Sequence, residues 1–115
     1  MARAASRIER IEVEPGVHLA VDIPSSLSKP VIVLSSSIGA SMGMWDEIYD
    51  RLSDQMSLVR YDTRGHGVSD APTGPYSIER LGLDVIAILD ALKIPRAVFC
   101  GLSLGGLTGM WIGAN

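Results

Sequence analysis

The residues with the clearest chemistry are Gly101-Leu102-Ser103-Leu104-Gly105, a G-x-S-x-G pentapeptide. A serine hydroxyl becomes a useful nucleophile when a base takes its proton. It also needs N–H groups to hold the negative charge that develops on the attacked oxygen. The pentapeptide follows the apolar run Ala97-Val98-Phe99-Cys100 and precedes a helix-compatible segment that starts at Leu104. That strand–turn–helix placement separates a nucleophile turn from an ordinary glycine-rich turn with an inert serine. On so sharp a turn, side chains two positions before and two after the serine would collide, so Gly101 and Gly105 are expected to be obligatory. Gly106 is expected to give further room for helix–strand packing. The helix begins under Ser103, and the positive end of its dipole would favour developing negative charge there.

Two amide donors are needed beside the serine. Leu104, the residue after it, supplies one. The second is expected from Ser35-Ser36-Ser37-Ile38-Gly39-Ala40, which follows the buried-type strand Val31-Ile32-Val33-Leu34. Small residues at the carboxyl end of such a strand leave N–H groups free where ligands bind in open α/β sheets. The N–H of Ile38 is the expected partner of the Leu104 N–H, against the plainer reading of an ordinary strand–helix loop. Arg64 and His66 are candidate substrate contacts, although an Arg in such a loop more often holds its own loop and His66 reads first as loop scaffolding. Asp62 reads as a turn-capping residue. His18 reads as a surface or edge-strand residue, Cys100 as an inert packing thiol, and Trp45 and Trp111 as packing residues.

The elements that must position these groups alternate along the chain. Residues 10–14 and 17–23 read as strands around Pro15-Gly16, and residues 24–30 as a Ser/Pro-rich loop. A helical pattern covers 44–56, with Trp45, Ile48, Leu52 and Met56 at spacings of three and four. Residues 58–61 form another strand and 63–75 a Gly/Pro-rich loop. Ser77 caps a helix whose stripe Ile78, Leu81, Val85, Leu89, Leu92 runs toward Pro95. Strands and helices in alternation predict an α/β fold, a three-layer αβα arrangement with a mostly parallel sheet. At 115 residues with a net charge of −3, the chain fits one domain at most. Its 47% hydrophobic and 20% charged residues read as globular rather than disordered. The basic residues are scattered singly, so no nucleic-acid partner is expected. One cysteine excludes an internal disulfide framework and a cysteine-rich zinc site. Gly101, Gly105, Gly109 and Gly113 repeat as G-x-x-x-G in a stretch without charges, a pattern also seen in membrane helix pairs. The turn geometry accounts for them better, and no membrane partner is expected.

These segments together resemble the N-terminal half of the α/β-hydrolase family. Besides the G-x-S-x-G turn, Tyr61-Asp62-Thr63-Arg64-Gly65-His66-Gly67-Val68-Ser69 is similar to the family's D-x-R-G-x-G-x-S loop. Many members carry His-Gly where Ser36-Ser37 stand here. Within the family the likeness is greatest to the 3-oxoadipate enol-lactonases, which also lack that pair, with Asn rather than Ser expected at position 36. The cues are Leu34 to Gly39, Arg60 to Gly67, Gly74 to Gly82 and Phe99 to Gly106.

The resemblance implies acyl-transfer hydrolysis of a small lactone or ester, with Ser103 as nucleophile and Ile38 and Leu104 as oxyanion donors. It implies no cofactor and no metal, and a cytoplasmic setting. In the family the acid and the histidine follow the serine, whereas His18 and His66 both precede it. Residues 1–115 are accordingly expected to be a single partial domain, truncated after the helix that follows Ser103 and inactive alone. The strand at 98–100 would leave a bare edge, inviting self-association or complementation by the missing C-terminal half. The alternatives are another hydrolase of this fold (an esterase, a C–C hydrolase or a haloperoxidase-like member) or a non-catalytic binding or assembly module.

Overall fold

The computed structural model describes residues 3–115. They form the strands β1 (Ser6–Glu14), β2 (Val17–Pro24), β3 (Val31–Ser35), β4 (Ser57–Tyr61) and β5 (Val98–Gly101). The helices are α1 (Asp46–Leu52), α2 (Ile78–Ala91) and α3 (Leu104–Ala114), and a 3-10 turn at Met42–Trp45 leads into α1. The sheet order is β1-β2-β4-β3-β5. β4, β3 and β5 run parallel, while the β1–β2 hairpin joins antiparallel through β2. The sheet is therefore mixed, with the predicted parallel part at its centre and far edge.

Side chains alternate across a strand, so neighbouring residues serve opposite faces. Val33, Val59 and Tyr61 pack with Leu19, Val21, Val85 and Ile88 in one core. Leu34 and Leu58 pack with Trp45 and Tyr49 in the other. This two-sided burial explains why β3 and β4 read as continuous apolar runs, and it makes the predicted three layers.

The elements differ from the sequence reading at their ends. β1 begins at Ser6 because its ladder with β2 extends to Ser6 opposite Pro24. The helical pattern at 44–56 resolves into the 3-10 turn and the shorter α1, with buried Ser53 as its C-cap. The chain must turn there to enter β4, and the Ser57 N–H donates to Pro30 O at 2.9 Å. α2 stops at Ala91, before Pro95. Lys93 takes φ 57°, its N–H donates to Asp90 O at 3.1 Å, and the Ile94 N–H reaches back to Leu89 O at 2.9 Å. That hydrogen-bond pair closes a helix through a left-handed residue, a place that favours glycine. Lys93→Gly is therefore expected to raise the unfolding free energy by about 0.5–1 kcal/mol in urea titrations.

Candidate active site

β3 and β5 are direct neighbours, and their register sets Ser35 opposite Gly101. Ile38 and Leu104 each stand three residues beyond a member of that pair, at the carboxyl ends of parallel strands. Ser103 lies between β5 and α3, exposed, with φ 58° and ψ −115°. A non-glycine residue in such a conformation costs about 1–3 kcal/mol and persists only where its surroundings hold it.

The surroundings are backbone. A Cβ at Gly101 would overlap the Gly105 carbonyl, and one at Gly105 would overlap the Ser35 carbonyl. The strand end, the turn and the first turn of α3 thus touch directly, and both glycines meet the steric expectation made for them. Gly106 does not share it: a Cβ there would meet nothing nearer than Gly101 O at 3.5 Å. The close helix–strand approach occurs one turn later, where a Cβ at Gly109 would overlap the Phe99 ring. A Cβ at Gly113 would meet nothing within 4 Å. The four-residue glycine spacing thus has local steric causes at three of its four positions. Among the described residues no helix is long and apolar enough to cross a membrane.

The loop after β3 is held from below. Ser35 Oγ and Tyr61 OH lie 2.7 Å apart, and burial pushes the Tyr61 phenol up to about 12, so it stays protonated at neutral pH. The Trp45 indole N–H donates to Ser36 Oγ at 3.2 Å, and the Leu102 N–H donates to Ser35 O at 3.2 Å. Trp45 thus packs, as expected, and also anchors this loop. Trp111 packs against Gly82, where a Cβ would overlap its ring. Among the described residues, the N–H groups of Ile38 and Leu104 have no hydrogen-bond acceptor.

The loop after β4 is tied on both sides. Asp62 accepts from the Met42 N–H at 2.7 Å and the Val68 N–H at 3.0 Å, the turn-fixing role expected of it. Gly67, at φ 52°, leaves room for that carboxylate, which a Cβ there would overlap. Arg64 is 5% exposed and donates from Nε and Nη2 to Asp84, each at 2.9 Å, and it also pairs with Glu14. Its guanidinium is engaged in holding the loop, the plainer of the two readings given to it. His66 lies beside it, with Nδ1 3.1 Å from Arg64 O. His18 sits on β2, its N–H donating to Asp70 Oδ2 at 2.8 Å. Neither histidine is hydrogen-bonded to Ser103. Cys100 is exposed on the edge strand rather than buried, because β5 is outermost in this sheet. Among the described residues, no three His, Cys, Asp or Glu side chains converge as a metal site would.

Sequence reasoning gave Asp84 and Tyr76 no role, and it named Ser36 only as part of the loop after β3, without its bond to Trp45. Asp84 left a signal: it is a lone carboxylate within the buried stripe of α2, one turn after Arg80, and such a charge must be paired. Tyr76 lines a cavity of about 240 Å³ together with Ile38, Leu104, His66, Ile78 and Leu81. The tertiary fold alone brings those segments together.

Two outcomes are expected. Gly101→Ala and Gly105→Ala should each lower stability by more than about 2 kcal/mol, because the colliding atoms are backbone. Gly106→Ala should be neutral or stabilise by up to about 1 kcal/mol, as a helix-favouring change with room to fit. Urea unfolding of the three variants distinguishes them. The second outcome concerns acid. Asp70 is held below the usual carboxylate range by the His18 N–H and by Arg10, Asp46 by Arg60, and Glu14 by Arg64. Folded pKa values depressed in this way contribute stability above the unfolded values near ~4, and that stability is lost as pH falls through the folded ones. Unfolding free energy measured against pH should be level from about 6 to 8 and fall below about 4.

Comparison with known proteins agrees with this geometry. The family described as the alpha/beta hydrolase fold matches residues 30–115. The curated 3-oxoadipate enol-lactonase 2 of Acinetobacter baylyi is 50% identical over 84 residues, covering 73% of this chain and 32% of its own. Enol-lactonase 1 of the same organism is 47% identical over 98 residues, covering 85% and 36%. The crystal structure of an enol-lactonase from Burkholderia xenovorans matches with a TM-score of 0.86 at 46% identity, over 93% of this chain and 42% of that one. The chain spans about a third of the length of these curated relatives. With three quarters of its length matched to the family, the strained Ser103 turn included, the chain belongs to the α/β-hydrolase fold family.

Proposed function

We propose that this chain carries the nucleophile and oxyanion donors of a serine hydrolase acting on small lactones or esters, in the manner of the enol-lactonases it resembles. The observation that carries this reading is the backbone of Ser103: an exposed serine held at positive φ between a parallel strand and a helix, with unpartnered N–H groups at Leu104 and Ile38. Strain of this kind concentrates where the chain must present one side chain.

In this reading Ser103 Oγ attacks the carbonyl carbon while a base takes its proton. The Ile38 and Leu104 amides hold the resulting oxyanion, assisted by the N-terminus of α3. The carbon–oxygen bond of the ring or ester breaks as the carbonyl re-forms, and the leaving oxygen takes up the proton. Water then adds to the acyl-serine and releases the acid, returning the proton to Ser103. The base and its orienting acid come from the part of the family's fold that these 115 residues do not span. Residues 1–115 alone are then expected to turn over slowly, and they gain activity by complementation with the remainder of the fold.

The test is a fluorophosphonate probe followed by peptide mapping, with lactone hydrolysis measured in the protein that includes the base. One adduct at Ser103 is expected, and Ser103→Ala should lower kcat at least ~1,000-fold with an unchanged unfolding transition. Turnover by Ser103→Ala within a few-fold of the parent protein would remove Ser103 as nucleophile.

A further inference from the structure

The 10 basic residues of the chain fall into two groups once the fold is formed. Every arginine from Arg3 to Arg80 pairs with a carboxylate. Among the described residues Lys29, Lys93 and Arg96 pair with none, and all three line one cleft of about 370 Å³. Its remaining walls are Leu27, Ser28, Pro30, Val31, Ile94 and Pro95, so no carboxylate lines it. The cleft lies between the loop that enters β3 and the link from α2 to β5, at the amino ends of these parallel strands. Ser103 and the unpartnered amides lie at their carboxyl ends. The two places are separated by the 5 residues of β3, roughly 16 Å at the rise of an extended strand.

The cations are not needed to finish α2. The carbonyls of Ile88, Leu89 and Asp90 already accept from the N–H groups of Leu92, Ile94 and Lys93, at 3.0, 2.9 and 3.1 Å. The side chains of Lys93 and Arg96 are therefore free of the capping work that basic residues often do at a helix C-terminus. Lys29 Nζ donates to the main-chain carbonyl of Asp54. That bond orients the ammonium, leaves its charge uncompensated and leaves two of its N–H groups free. Pro30 and Pro95 fix φ beside Lys29 and Arg96, so two of the three cations leave stiff backbone. Like charges brought to one concavity repel one another, and an anion seated among them removes that cost.

We propose that this cleft binds a small phosphate monoester. Arg96 presents a planar fork that takes two oxygens at once, and Lys29 and Lys93 act as point charges. A phosphate monoester carries a charge of about −1.5 to −2 at neutral pH and three strong acceptor oxygens, which suits all three cations. A carboxylate brings one charge and two oxygens and leaves most of the positive charge unmatched. Leu27, Val31 and Ile94 offer apolar surface to the organic part of the ester. The site uses neither Ser103 nor the amides beside it, so it stands apart from the serine-hydrolase reading.

Heteronuclear NMR titration of the 115-residue chain decides it, with phenyl phosphate, inorganic phosphate, benzoate and benzyl alcohol as probes. Phenyl phosphate should give saturable shifts at the amides of Lys29, Val31, Lys93 and Arg96. It should bind about fivefold tighter than inorganic phosphate, from the apolar contact of its ring, and about tenfold or more tighter than benzoate. Benzyl alcohol should shift none of these amides. Lys93→Gln and Arg96→Gln, both at exposed positions, should each weaken phenyl phosphate about tenfold with an unchanged unfolding transition. The assignment is overturned by affinity that both variants leave unchanged, or by shifts centred on Ile38 and Leu104 instead. It is equally overturned by benzoate or inorganic phosphate binding as tightly as phenyl phosphate, or by the absence of saturable shifts.

Discussion

Close backbone approach where β3, β5 and α3 meet is the constraint on which the candidate site depends. The Ser35 carbonyl lies against Gly105, and the Gly105 carbonyl lies against Gly101. No side chain fits at either contact, so the chain has one path from strand to helix, and that path leaves Ser103 at positive φ. Ile38 and Leu104 each follow the Ser35–Gly101 pair by three residues, at the carboxyl ends of β3 and β5. Ser103 and the two unpartnered amides are thus positioned by one piece of backbone packing rather than by separate side-chain contacts. Such packing changes little with temperature or solvent, because interiors are close-packed and resist compression.

Around this junction, polar groups restrain loops that apolar packing alone would leave free. Asp62 bridges the entry to the 3-10 turn and the loop after β4. Arg64 and Asp84 tie that loop to α2, and Glu14 extends the tie to the β1–β2 hairpin. Arg60 does the corresponding work between β2 and α1 through Asp22 at 2.9 Å and Asp46 at 2.6 Å. Buried ion pairs contribute little net stability, because desolvating both charges offsets most of their attraction. Their value here is geometric, since each fixes one loop against one element of the sheet. They also determine the chemistry of the cavity beside Ser103, because a cation that appears free in sequence is already neutralised.

The antiparallel hairpin has a supporting part in this arrangement. Leu19, Val21 and Ile23 of β2 extend the core that α2 covers, and Asp70 links the loop after β4 to His18 on the same strand. The hairpin therefore braces the loop that bears Arg64 and His66, at a distance from the serine turn. A mixed sheet suits this role: the parallel strands present their carboxyl ends to the site, and the hairpin closes the opposite edge.

Much of this was legible in the residues. G-x-S-x-G after an apolar strand fixes its own interpretation, because the sterics of a turn are local and depend on five positions. The buried strands, the Ser77 cap and the stripe of α2 follow from periods of two and of 3.6, which are properties of single elements. Other features could not be read that way. Whether Arg64 meets substrate or protein depends on Asp84, twenty residues away on another element, and on Glu14 in the hairpin. Gly106 and Gly109 look equivalent along the chain, yet Phe99 stands opposite only the second. The cavity needs residues from the loops after β3 and β4, from the start of α2 and from the start of α3. Local sterics and periodicity are written in neighbouring residues and survive as sequence patterns. Charge pairing and concavity arise between segments far apart in the chain, so they exist only once the sheet order has brought those segments together.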